Sequence, residues 1–166
     1  MTRRVVITGC SAITPIGHGK HDILEHLTKG MSGVKKLKHD DLYAKYIDAG
    51  VFGAVDYSLD YDFSRRDRKT MGPVAYYACQ VAKEALEMAD PGEDLITSGR
   101  MGVAFGSTHG SPLVQRKLYQ ALFDDTYTGY ASIKAVDYLK FMVHTTAVNF
   151  TKMFGITGRV ISSSTA

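Results

Sequence analysis

Three short apolar or β-branched runs in this chain are bounded by glycine turns: Arg4–Thr8 before Gly9, Arg100–Phe105 before Gly106, and Arg159–Thr165 after Gly155 and Gly158. Each reads as a strand, the first two as buried ones. Segments of helical period lie between them. Lys20–Lys29 carries Ile23, Leu24 and Leu27 on helical spacing and stops at Gly30, a C-terminal cap. Pro73–Met88 is the clearest helix, with Val74, Ala78, Val81, Ala85 and Met88 as one apolar stripe, a proline at its start and Asp90-Pro91-Gly92 as its stop. Further helical segments occupy Leu113–Phe123 and Ser132–Phe154, with a break around Tyr127–Gly129. Met31–Ser64 shows no strong period and reads as loops with one short strand near Ala49–Val55. Strands that alternate with helices predict an α/β chain, a mixed β-sheet covered by helices.

At 166 residues the chain is one ordinary domain in size, or half of a larger one, and long enough for a single hydrophobic core. Hydrophobic residues at 45% and charged residues at 22% exclude an intrinsically disordered or membrane-spanning composition. A net charge of +3 does not by itself call for nucleic acid, because phosphate binding depends on clustered cations rather than on the total. Cys10 and Cys79 are far apart, and the apolar run after the N-terminal MTRR is too short for a signal sequence. Reduced thiols in a cytoplasmic setting are the expectation.

Several stretches are candidates for chemistry. Gly106-Ser107-Thr108-His109-Gly110-Ser111 joins a strand to a helix, where free amides attract anions, but it lacks both the G-x-G-x-x-G spacing and the G-K-[ST] ending. A tight turn whose small residues admit a ligand or a partner subunit close to the backbone fits better. The six histidines, at 18, 21, 26, 39, 109 and 144, form no H-x-x-x-H pair, so no metal is expected. Cys10 has no neighbouring base and reads as a small buried residue, and Cys79 beside the Pro73 stripe reads as packing. Ser64-Arg65-Arg66-Asp67-Arg68-Lys69 sets four cations against one carboxylate, which suits an acidic protein partner. No aromatics interleave the cluster as nucleic-acid binding would require.

Taken in order and at their separation, RRVVITGCSAITPIG, MGVAFGSTHGS and FGITGRVISSSTA resemble the N-terminal half of the type II β-ketoacyl-acyl carrier protein synthases, condensing enzymes of the thiolase fold. The resemblance covers essentially all of residues 1–166 and implies a C-terminal half beyond them. In that family the Ser/Thr-Ala ending is followed by the nucleophilic cysteine, so residue 167 is expected to be Cys, at a helix N-terminus whose dipole favours thiolate. The family's two catalytic histidines and its lysine belong to the other half, and no catalytic residue is assigned within this chain. The reaction implied is a decarboxylative Claisen condensation. An acyl group passes to the cysteine, a malonyl group on a carrier protein loses carbon dioxide, and its enolate attacks the acyl thioester.

The same resemblance assigns three jobs to this chain. Arg66 and Lys69, with Arg65 and Arg68 beside them, would dock acyl carrier protein. His109, where relatives usually carry an aliphatic residue, would line the acyl pocket together with Phe141 and Val143, and a few extra residues separate the glycine loop from the Phe141 helix. Arg159, Val160, Ile161, Ser162 and Ser163 would pair across a two-fold axis in a homodimer, or in a heterodimer with a ketosynthase-like subunit. No cofactor, metal, nucleic acid or membrane is implied, and the setting is cytoplasmic. The alternatives are a non-catalytic subunit like a chain-length factor, with the cysteine replaced, and a bare acyl- or carrier-protein-binding module.

Overall fold

The structure, a computed structural model, describes residues 3–37, 50–55, 63–123 and 133–164. Its internal contacts divide the chain into two units, Met1–Ser58 with Glu84–Ala89, and Leu59–Lys83 with Asp90–Ala166.

In the first unit a small antiparallel hairpin pairs β1 (Ile13–Thr14) with β2 (Gly17–His18), and the Thr14 hydroxyl donates to the Gly17 carbonyl at 3.0 Å across the Pro15-Ile16 turn. Helix α1 (Gly19–Thr28) follows at once. It ends as the glycine signal predicts. Gly30 adopts φ +64°, its N–H reaches the Leu27 carbonyl at 3.1 Å, and the Met31 N–H reaches the His26 carbonyl at 2.9 Å. These bonds satisfy carbonyls that the last turn leaves unpaired. Strands β3 (Val34–Lys36) and β4 (Val51–Gly53) pair antiparallel with Lys35 opposite Phe52. The strand expected near Ala49–Val55 is thus β4. Its partner, a Val-Lys-Lys run without apolar alternation, carried no strand signal.

The Arg4–Thr8 run departs from expectation. It is neither buried nor a strand, with Val5 95% and Ile7 89% exposed. β-Branched residues favour an extended backbone, but a strand exists only where a neighbour meets its N–H and C=O groups, and among the described residues no ladder does so. The run is anchored at its end. Gly9 lies against the Ala85 carbonyl, while Ser11 Oγ and His18 Nε2 both bond the Glu84 carboxylate, the latter at 2.7 Å. Cys10 is exposed here and not buried as predicted, because the segment that carries it lies on the surface.

The second unit opens with α2 (Arg65–Arg68) and α3 (Pro73–Ala89), whose last turns belong to the first unit. There follow α4 (Glu93–Thr97), β5 (Val103–Gly106), α5 (Pro112–Phe123), α6 (Ala135–Phe141), α7 (Thr145–Phe154) and β6 (Val160–Ser163). β6 runs parallel to β5 with Val103 opposite Val160 and Gly106 opposite Ser163, so the intervening helices form the crossover that a parallel pair requires. α7 stops at Gly155, which takes φ +68° as a left-handed cap.

The core of this unit is Phe63, Met71, Ala75, Tyr76 and Cys79, with Phe150 and Met153 of α7 packed against it. Phe63 meets Tyr76 edge to face at 5.1 Å between centroids. The buried face of α3 is therefore Ala75, Tyr76, Cys79 and Gln80, centred about 170° around the helix from the predicted stripe, on nearly the opposite face. Tyr76 buries far more area than Val74 or Ala78 could, so the aromatic decides which way the helix faces. Val74, Ala78, Val81 and Ala85 are half-buried, and Met88 is exposed. Cys79 packs in the core with no exposed surface, in line with its reading as a packing residue. Asn149 of α7 is buried and clamps Thr70, accepting from its hydroxyl at 2.6 Å and donating to its carbonyl at 3.2 Å.

Candidate functional site

The cationic segment begins with a capped turn. Ser64 Oγ accepts from the Asp67 N–H at 3.2 Å and donates to the Asp67 carboxylate at 2.5 Å, so the one acidic residue of the cluster is engaged in starting α2. Arg65, Arg66 and Lys69 are left on the surface, and Arg68 is half-buried with Nε donating to the Phe63 carbonyl at 2.9 Å. All four predicted docking cations thus sit on one short helix and its C-cap, held in place by the Phe63 core.

Two close backbone approaches position what surrounds them. Gly72, four residues beyond Arg68, lies against Ser111 Oγ and the Lys140 carbonyl, and Gly110 lies against the Phe141 carbonyl. A side chain at either position would collide with backbone, so these glycines allow the turn after α2, the start of α5 and the end of α6 to meet. The small residues of the glycine loop accordingly serve contact within the chain. The loop itself is a tight turn in which Ser107 Oγ donates to the His109 carbonyl at 2.6 Å.

This stitching creates a concavity of about 760 Å³ whose lining includes Arg65, Arg68, Lys69, Lys117, Lys134 and Lys140. The last three come from α5, the residue before α6, and α6 itself. Linear reading missed them because each is a single lysine on a helical segment, with no local signal that they share a surface. Asp137 also lines the bowl and lies 3.8 Å from the Lys140 ammonium.

The residues expected at an acyl pocket fall into two groups. Phe141 and Val143 are half-buried around the end of α6, with Phe141 edge to face against Tyr138 at 5.0 Å. The His109 side chain is exposed, one residue from the Gly110–Phe141 contact. Loop and helix end are therefore neighbours. Along the expected dimer strand, Arg159 precedes β6, and Val160, Ile161, Ser162 and Ser163 are exposed. Among the described residues β6 has one neighbouring strand, β5. No helix among the described residues is long and apolar enough to cross a membrane.

Comparison with known proteins matches residues 2–166 to the family model described as β-ketoacyl synthase, N-terminal domain. Among curated relatives, 3-oxoacyl-[acyl-carrier-protein] synthase 1 of Haemophilus influenzae is 31% identical over 109 residues, covering 66% of this chain and 26% of the relative. A granaticin polyketide β-ketoacyl synthase of Streptomyces violaceoruber is 31% identical over 127 residues, covering 75% and 29%. Of solved structures, a β-ketoacyl synthase from Burkholderia phymatum superposes with a TM-score of 0.80 at 29% identity, covering 96% of this chain and 39% of that one. The ishigamide ketosynthase/chain length factor shares the fold, with a TM-score of 0.74 at 21% identity and coverage of 96% and 40%. The chain spans about a quarter of the length of the curated relatives it matches. With the fold found to be the expected thiolase-like α/β arrangement and the family model matched from residue 2 to residue 166, the chain belongs to the β-ketoacyl synthase family.

Proposed function

We propose that this chain is the N-terminal part of an enzyme that condenses an acyl group, held on a cysteine, with malonyl-acyl carrier protein, lengthening a fatty-acid or polyketide chain by two carbons. The observation that carries this reading is the family match over residues 2–166, joined to relatives named as 3-oxoacyl-[acyl-carrier-protein] synthase and polyketide β-ketoacyl synthase. Within the reaction this part binds and positions. The exposed cations of α2 receive the acidic carrier protein, and the end of α6 with the His109 loop forms one wall of the acyl channel. In this reading the nucleophilic cysteine and its histidine partners are not among residues 1–166. The thioester bond to the carrier breaks as the acyl–cysteine thioester forms; decarboxylation then supplies the enolate, whose attack frees the cysteine and leaves the β-ketoacyl group on the second carrier. The β6 edge pairs with the equivalent strand of a homodimeric partner or of a ketosynthase-like subunit.

The test is an assay of the purified intact gene product, with its natural partner subunit if there is one, offered acyl- and malonyl-carrier proteins. Carbon dioxide release together with a product two carbons longer is expected. Condensed product absent across acyl lengths and partner subunits would overturn the proposal.

Docking has its own test. Reversing Arg66 and Lys69 to Glu should weaken carrier-protein binding by about tenfold or more, since like charges then face the acidic partner, and wild-type affinity should fall as salt rises. An unchanged dissociation constant in the double variant, measured by calorimetry, would place docking elsewhere.

A further inference from the structure

Helix α2 is four residues long, about a single turn. One turn does not hold itself in water, because nucleation fixes several dihedrals for one hydrogen bond, so its neighbours must fix where its cations stand. At its start, Phe63 is buried in the core and its carbonyl accepts from Arg68 Nε at 2.9 Å. At its end, Met71 enters the same core, and Thr70 stands between it and the C-cap Lys69. Thr70 is gripped from 79 residues further along the chain: its hydroxyl donates to Asn149 Oδ1 at 2.6 Å, and its carbonyl accepts from Asn149 Nδ2 at 3.2 Å. Asn149 is an unusual residue for the place it holds. It is buried within α7, where asparagine is a poor helix former and an unpaired amide is costly. Both ends of its amide bond the same residue, so the side chain and backbone of Thr70 are fixed together, and with them the direction in which the chain leaves α2. An aliphatic residue would fill the space; what the amide adds is orientation.

We propose, on the reading that α2 receives acyl carrier protein, that Asn149 is a positioning residue for that docking: through Thr70 it fixes the adjoining Lys69 and the α2 turn before the partner arrives. Attraction to an acidic surface depends on where the cations stand, and a turn that must first be ordered adds its lost freedom to the cost of binding. Asn149 is buried, so its effect reaches the partner only through the exposed Arg66 and Lys69.

The experiment is a calorimetric titration of acyl carrier protein into the intact gene product at low salt, at a temperature where circular dichroism shows the variants folded. Asn149→Ala should weaken binding by about fivefold. Thr70→Val, which keeps the shape and loses the hydroxyl, should weaken it by about threefold, and Thr70→Ser, which keeps the hydroxyl, should bind within about twofold of wild type. In a chain that already carries Arg66→Gln and Lys69→Gln, Asn149→Ala should change affinity by less than about twofold, because the charges it positions are gone. An asparagine that only stabilises the fold gives a different result, a lower Tm with an unchanged Kd. That result overturns the proposal, as does an Asn149→Ala effect of equal size with and without the two cations. Should Asn149→Ala not fold, Thr70→Val binding as wild type overturns it equally. If Arg66→Gln with Lys69→Gln leaves affinity unchanged, the docking assignment for α2 falls and the positioning role falls with it. A loss there, together with wild-type binding by the Asn149 and Thr70 variants, sinks the positioning role alone.

Discussion

Gly110→Ala is expected to destabilise the chain by roughly 3 kcal/mol, the upper end of ordinary overpacking costs. A Cβ at this position would fall inside the van der Waals envelope of the Phe141 carbonyl, with the Phe141 carbonyl carbon also too close, and these are backbone atoms that cannot swing aside. The cost is steric and not conformational, since Gly110 does not occupy the left-handed region. Two comparisons isolate that cause. Gly106→Ala meets nothing within 4 Å and should be nearly neutral. Gly155→Ala also meets open space but must hold φ +68°, which costs an L-residue about 1–2 kcal/mol. Urea unfolding of the three variants should rank them Gly110, Gly155, Gly106 in order of decreasing loss. A Gly110 variant within about 1 kcal/mol of the Gly106 one would mean that α6 shifts freely and does not fix the loop carrying His109.

The second large effect is expected in alkaline solution. Burial pushes the Cys79 thiol up from 9.0 to about 12, because the thiolate would lose its hydration among Phe63, Met71 and Tyr76. Below pH 9 the thiol is protonated in both folded and unfolded chains and its contribution is intact. Above pH 9 the unfolded chain releases the proton while the folded chain keeps it, so stability declines as pH rises toward 12, by ~1.4 kcal/mol per pH unit and roughly 4 kcal/mol in all. Other groups titrate in this range too, so the measurement is a difference: unfolding free energy of wild type minus that of Cys79→Ala, followed from pH 7 to pH 11. It should be flat to pH 9 and then fall. A difference that stays flat to pH 11 would show that water reaches the thiol. Cys10, exposed and common to both proteins, cancels from the comparison.

Both effects arise where separate segments meet, and so does the departure of the structure from expectation. The fold class, the starts of α3 and α5 at Pro73 and Pro112, the Gly30 stop of α1 and the positions of strands β5 and β6 were legible in the chain, although β5 alternates half-buried and exposed residues and is not the buried strand expected. Proline and glycine act on their own backbone dihedrals, and a helical or alternating period spans only a few residues, so these signals are complete within a short window. The clustering of the α2 cations was legible for the same reason, as neighbours in the chain. Tertiary structure alone decided that α3 would bury the Tyr76 face and not the predicted stripe nearly opposite it, that Arg4–Thr8 and Cys10 would lie on the surface, and that Lys117, Lys134 and Lys140 would line one concavity with Arg65, Arg68 and Lys69. Burial and the convergence of charge depend on which distant segments come together. Here that meeting is set by two glycines, Gly72 and Gly110, whose missing side chains make room for Ser111, Lys140 and Phe141.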